Sequence, residues 1–185
     1  MENTKIVIGL VGQISSGKGT AAMYLKNKYN IKILRFSTVL RKILKDLNIK
    51  ESRKNLQNLS TSLRKKFGED ILSKYIAYNI NKSKYKIFVV DGIRRKADLK
   101  NLKNLKKFKL VKITAPSKIR HKRLVANNEN QGDKVKTYKK FLADQKREAD
   151  AEIPMVMKTA DYEIINDKDT KKLFKQIDIL INNLQ

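Results

Sequence analysis

The chain has 185 residues, 41% of them apolar, which suits one domain with a sizeable core. It has no cysteine and no apolar run of about 18 residues, which excludes disulfides, thiolate chemistry and a membrane-spanning helix. Its formal charge of +25 excludes a surface indifferent to anions, since such a field draws in nucleotides, polyphosphates and nucleic acid.

The predicted elements open with a buried strand over 5–11. It runs straight into Gly12-Gln13-Ile14-Ser15-Ser16-Gly17-Lys18-Gly19-Thr20, which has Walker A spacing with its hydroxyl one place later than usual. Glycines let backbone N–H groups curl around phosphate oxygens, and Lys18 supplies a compact positive charge to the same anion. A helix over 18–29 points its positive end there too. A glycine turn that binds nothing is the alternative, and the apolar strand and helix-favouring flank argue against it.

A second strand at 31–35 and a helix at 38–47 follow, then helices at 53–67 and 69–81. Leu56, Leu59, Leu63 and Phe67 keep the period of one buried helical face, and Gly68 marks the break. Residues 52–81 thus read as a two-helix insertion. The next strand, 86–90, delivers Asp91 to its end, followed by Gly92-Ile93-Arg94. A carboxylate there can hold Mg²⁺ beside a triphosphate, and Arg94 can grip a phosphate; the plain alternative is an Asp capping the next helix.

Further on, a helix at 95–105, a strand at 109–114 and a helix at 117–126 lead to the polar stretch 127–136. That stretch carries Gly132 and reads either as a lid or as an ordinary surface connection. A helix at 135–150, a strand at 161–165 and a helix at 169–183 complete the chain. His121, the only histidine, reads as a surface residue, and Tyr75 and Tyr78 as packing residues. Strand–helix alternation predicts an α/β fold with a five-stranded parallel sheet covered on both faces. Its ligand would sit at the carboxyl ends of the strands, where Gly12 falls.

These motifs give the chain a family likeness. It resembles the P-loop kinases of the nucleoside monophosphate kinase group, adenylate-kinase-like and dephospho-CoA-kinase-like members included. Gly17-Lys18-Gly19-Thr20 resembles the adenylate kinase loop, and Asp91-Gly92-Ile93-Arg94 resembles the group's Asp-Gly-x-x-Arg signature. Arg41, after Phe36-Ser37-Thr38-Val39-Leu40, falls where these enzymes place an acceptor-phosphate arginine. The dephospho-CoA-kinase-like proteins share more, in Asn55-Leu56-Gln57, Leu63-Arg64, Phe67-Gly68 and a terminal strand before Asn166.

The resemblance implies one P-loop NTPase kinase domain over 1–185, with core 1–51, 82–126 and 137–185, an acceptor-binding helical insertion at 52–81 and a short lid at 127–136. It implies ATP and Mg²⁺, with Gly12 to Thr20 on the nucleotide and Thr20 and Asp91 on the metal. Lys18, Asp91, Arg123 and Arg147 would be catalytic, with Arg120 a weaker lid candidate. Ser37, Arg41, Gln57, Arg64 and Arg94 would bind the acceptor.

Two departures shape the acceptor. Thr38 stands where relatives carry Asp, so a base for a sugar hydroxyl is missing and an already anionic nucleoside monophosphate is favoured. Asp169 stands where relatives often have glycine, near the nucleotide base. We therefore expect transfer of the ATP γ-phosphoryl to a small nucleotide-like acceptor, with dephospho-CoA kinase the first alternative. A polynucleotide- or RNA-associated ATPase, or a nucleotide switch, is the next. Nucleic acid is disfavoured because the lysines are spread along the chain, as an AT-rich genome would spread them, and no basic stretch is interleaved with aromatics. The start of the chain lacks a secretory apolar segment, so the expected place is the cytoplasm, off the membrane, as monomer or homodimer.

Overall fold

The computed structural model describes residues 5–128, 133–145 and 151–184. Its centre is β1 (Ile6–Val11), an unbroken apolar run buried along its whole length. Such a run belongs in a sheet covered on both faces, and that is where it lies. The strand order is β2 (Lys32–Arg35), β3 (Ile87–Asp91), β1, β4 (Lys107–Thr114), β5 (Tyr162–Ile165), and every pair is parallel. This is the α/β P-loop architecture expected from the alternation of elements.

Successive side chains of a strand point to opposite faces, and the two cores divide accordingly. On one face Ile6, Ile8 and Leu10 meet Ala21, Ala22 and Leu25 of α1 (Lys18–Lys28) and Leu173, Ile177 and Ile181 of α9 (Thr170–Leu184). On the other, Val7 and Val11 meet Phe36 and Leu40 of α2 (Phe36–Asp46) and Leu72, Ile76 and Ile80 of α4 (Ile71–Lys82). Each of the Val, Leu, Ile and Phe side chains contributes about 1.5–3 kcal/mol through burial, and the alanines less. At the far end of the first face, Tyr24, Tyr29 and Lys28 all donate to Asp178, tying α1 to α9. Burial alone would push the Asp178 carboxyl up, but these three bonds hold it below its ordinary value.

Several expected boundaries change. α4 was expected as half of an insertion, yet its buried residues make it a crossover helix lying on the sheet. Only α3 (Arg53–Phe67) stands outside that layer, with Leu56, Leu59 and Leu63 half-buried and Phe67, expected on the same face, 64% exposed. The helix expected at 95–105 is one turn, α5 (Lys96–Leu99), because Asn101 turns its amide to Asp70 and Ser73. After α6 (Ser117–Asn127), α7 (Tyr138–Asp144) starts later than expected, where Thr137 accepts from the Lys140 N–H as an N-cap. A short helix, α8 (Ile153–Met157), was not anticipated; it buries Ile153 and Val156 in the second core.

Candidate active site

The loop between β1 and α1 emerges at the carboxyl end of the central strand. Its turn is built from positive-φ residues, Ser15 at 57° and Gly17 at 105°, and Ser16 donates its N–H to Gln13 at 3.2 Å. A side chain at Gly12 would run into the Ile113 carbonyl and the Ser16 hydroxyl. Lys18 folds its amine back onto the loop, donating to the Gly12 carbonyl at 2.6 Å and the Gln13 carbonyl at 3.0 Å. The Ser16 hydroxyl is buried, and no group among the described residues accepts from or donates to it. Thr20 lies exposed in the first turn of α1.

Asn166, at the end of β5, holds this loop from behind. Its amide donates to the Ser16 carbonyl at 2.8 Å, and a side chain at Gly17 would collide with that same amide. Arg123, on α6, donates to the Asn166 carbonyl at 3.0 Å and to its side-chain oxygen at 3.3 Å. Arg123 therefore sits on the β5–α9 turn. Asp169 in that turn caps α9, accepting from the Lys172 N–H at 2.8 Å, which gives its departure from glycine a local reason.

Asp91 ends β3 next to β1, paired in register with Leu10 on one side and Arg35 on the other. Arg35 reaches across and donates to the Asp91 carboxylate at 3.3 Å. Sequence reasoning missed Arg35, because the cross-strand pairing that brings it there is set by register and not by spacing. The turn after Asp91 is fixed by Asp98, whose buried carboxylate accepts the N–H groups of Arg94 and Arg95 at 2.9 and 3.0 Å. Its other oxygen takes Arg64 at 2.6 Å.

Arg64 corrects an expectation. Assigned to an acceptor phosphate, it is instead 5% exposed, with its guanidinium nitrogens on Asp98, the Glu69 carbonyl and the Ser60 hydroxyl. It positions the Asp91 loop from below. Arg94 is exposed on that loop, Ser37 is half-buried at the start of α2, and Gln57 is exposed on α3. Arg41 is half-exposed and ion-paired with Glu51.

Of the segment expected to form a lid, 127–136, residues 129–132 lie outside the described residues; the parts of α6 and α7 on either side of it lie against the loop. Arg120 is buried and donates to the Ala115 carbonyl, the Ile14 carbonyl of the P-loop and the Gln145 side chain. Burial pushes its guanidinium down from its ordinary value, and it stacks over the Phe141 ring at 5.3 Å. The weaker candidate on α6 is thus the one that touches the phosphate loop. His121, expected at the surface, is half-buried, its ring against Tyr138 and Phe141 and its Nε2 at 2.7 Å from the Lys136 carbonyl. Lys136 bridges Asp133 and Asp144 at 2.9 and 3.2 Å; burial would lower its amine, but these two carboxylates raise it. Gln13, Ile14, Arg53, Phe141, Asp144 and Gln145 line a narrow crevice here, with a free volume of about 20 Å³. Arg147 lies outside the described residues.

The loop fits a nucleotide phosphate chain. An orphaned buried hydroxyl, a cradle a side chain would fill and an amine lying on loop carbonyls are what a bound phosphate would satisfy. The side chains expected to face magnesium are Thr20 and Asp91. Among the described residues no group of three or more His, Cys, Asp or Glu could hold a metal, and none is needed for an ion that keeps waters and phosphate oxygens. No described helix is long and apolar enough to cross a membrane.

Known proteins share this fold. A UPF0200 protein of Pyrococcus abyssi is 27% identical over 184 residues, covering 97% of each chain. Among solved structures, TT1252 from Thermus thermophilus superposes with a TM-score of 0.65 at 16% identity, covering 98% of both chains. A shikimate kinase from Bacteroides thetaiotaomicron superposes at 0.64 and 14%, covering 97% of this chain and 98% of its own. The family model described as AAA domain matches residues 11–142, from the last residue of β1 into α7. With that match spanning the P-loop, Asp91 and Arg120 alike, the chain belongs to the AAA domain family and has the fold of the P-loop kinases.

Proposed function

We propose that the protein is a phosphotransferase that moves the γ-phosphoryl group of ATP to a small nucleotide-like acceptor, a ribo- or deoxynucleoside monophosphate. The observation that carries this reading is the phosphate loop itself. The unpartnered Ser16 hydroxyl and the Lys18 amine both lie at the carboxyl end of β1, one strand away from Asp91.

The chain's own groups have distinct tasks. Gly12 to Gly19 offer N–H groups to the donor phosphates, and Lys18 leaves its two carbonyls to neutralise them. Magnesium, when bound, would supply positive charge against the negative charge that develops in transfer. Thr20 and Asp91 would hold it. Arg94 and Arg41 would take the acceptor phosphate, Arg120 and Arg147 would close the charge around the moving group, and Arg123 would act through Asn166, which holds the loop. Positioning and fixed cations supply such catalysis without a covalent nucleophile.

A second reading has its own observation. Asp144 places a carboxylate on the crevice beside Gln13 and Ile14. An alcohol acceptor needs a base of that kind, so the 3′-hydroxyl of dephospho-CoA, or a shikimate-like alcohol, is the alternative.

The test is ADP release from ATP and Mg²⁺ with nucleoside monophosphates, dephospho-CoA, shikimate and a 5′-hydroxyl oligonucleotide, with Lys18→Ala as control. Stimulation by one monophosphate, lost in the variant, supports the first reading. Stimulation only by an alcohol replaces it with the second. Tight ATP binding with no acceptor turned over would sink both.

A further inference from the structure

At the opposite end of the sheet from the phosphate loop, two short segments read alike: Lys26-Asn27-Lys28-Tyr29 and Lys82-Ser83-Lys84-Tyr85. Each leads into a strand, the first into β2 and the second into β3. These strands are hydrogen-bonded neighbours, with Lys32 in register with Phe88, so the two Lys-x-Lys-Tyr segments are brought side by side. Between them lies a groove of about 420 Å³, lined by Tyr29, Asn30, Lys84, Tyr85, Lys86 and Ile87. Tyr85 is 42% exposed, and the Lys32 amine lies 5.6 Å from its ring centre. One helical turn before Lys82, Tyr78 is 56% exposed, with the Lys82 amine over its ring at 4.7 Å.

The charge here is one-signed. Neither 26–32 nor 82–87 contains an acidic residue. Asp178, which faces this end of α1, is taken up by Tyr24, Lys28 and Tyr29. Tyr78 and Tyr85, exposed and flanked by Lys32, Lys82, Lys84 and Lys86, which have no carboxylate partner among the described residues, form the pairing that single-stranded nucleic acid needs. Bases stack on the rings, and phosphates meet the amines. The linear reading found no interleaving of basic and aromatic residues, because each segment is too short to stand out among 43 basic residues.

We infer that this groove binds single-stranded RNA or DNA, with a base on Tyr85 and backbone phosphates on Lys84 and Lys86. β3 separates the groove from Asp91 by about 17 Å, at about 3.3 Å per residue. The nucleotides seated here are therefore not themselves the phosphoryl acceptor, and the groove serves as a tether.

The test is fluorescence anisotropy with a labelled oligouridylate of about 15 nucleotides, titrated between about 50 and 200 mM salt. Tyr85→Ala should weaken binding about tenfold, and Tyr85→Phe should retain it. Lys84→Ser with Lys86→Ser should lower the salt slope by about 1.4. Lys171→Ser with Lys175→Ser, an equal charge change on α9, should leave binding and slope close to the parent values. Equal losses in both double variants would overturn the inference in favour of diffuse attraction to net charge. Binding to phosphatidylserine vesicles without binding to the oligomer would also overturn it, as would phosphoryl transfer to the oligomer's end.

Discussion

Arg64 donates to Asp98 across 2.6 Å within the protein interior, joining α3 to the turn that follows Asp91. Both side chains are almost fully buried, at 5% and 3% exposure. Removing one partner of such a pair leaves the other charge uncompensated, so Arg64→Ala should cost about 3–5 kcal/mol of unfolding free energy. Urea denaturation measures it. A loss below about 1 kcal/mol, the range of an exposed pair, would show that the bond is not buried in solution.

Ser16→Ala should produce two effects of opposite sign. The hydroxyl is buried without a partner, and such a group costs about 1–3 kcal/mol in the free protein. The variant's melting point without nucleotide should therefore rise by about 3 °C. Its affinity for ATP should fall about tenfold, from the loss of a hydrogen bond to a charged phosphate. Calorimetric melting with and without ATP reads both, and equal affinity in parent and variant would remove Ser16 from the site.

Arg35 occupies the carboxylate expected to face magnesium. The pair is partly exposed and worth at most about 1 kcal/mol. Arg35→Gln should accordingly lower the Mg²⁺ concentration for half-maximal turnover, by up to about fivefold. A rise in that concentration would mean that Arg35 orients Asp91 for the metal and does not compete with it.

The acid limb of stability should carry the signature of Asp70. The Asn101 amide holds its carboxyl at about 2, below its ordinary 3.8, with Lys74 and Lys100 assisting against the effect of burial. A depressed carboxyl favours the folded state above its ordinary value and loses that contribution as the pH falls through the folded one. Stability should therefore drop between about pH 4 and pH 2, and Asp70→Asn should flatten that part of the profile. Thermal melts across this range test it, and an unchanged slope in the variant would assign the loss to other carboxylates.

Strands and phosphate loop were legible because their signals are local. A continuous apolar run announces a strand buried on both faces, and glycine spacing announces the loop. What escaped depends on contacts distant in sequence. Leu99, Leu102 and Leu105 mimic helical spacing, yet the helix stops because Asn101 bonds to α4 residues about thirty positions away. Arg64 looked like a solvent-facing phosphate ligand until Asp98, 34 positions on, drew it inward. Arg120 and Arg123 are near-equivalent by sequence, and only packing sends one to the P-loop and the other to the β5–α9 turn.

One property of α3 governs how the molecule opens. Arg64 is its sole fully buried residue; its leucines are only half covered, and Phe67 faces solvent. The sheet, by contrast, keeps β1 wholly enclosed. Segments with little fully buried apolar surface exchange their amide hydrogens through small local openings, while enclosed strands wait for global unfolding. Amides of α3 should therefore exchange before those of β1, with the Arg64–Asp98 pair setting how much sooner.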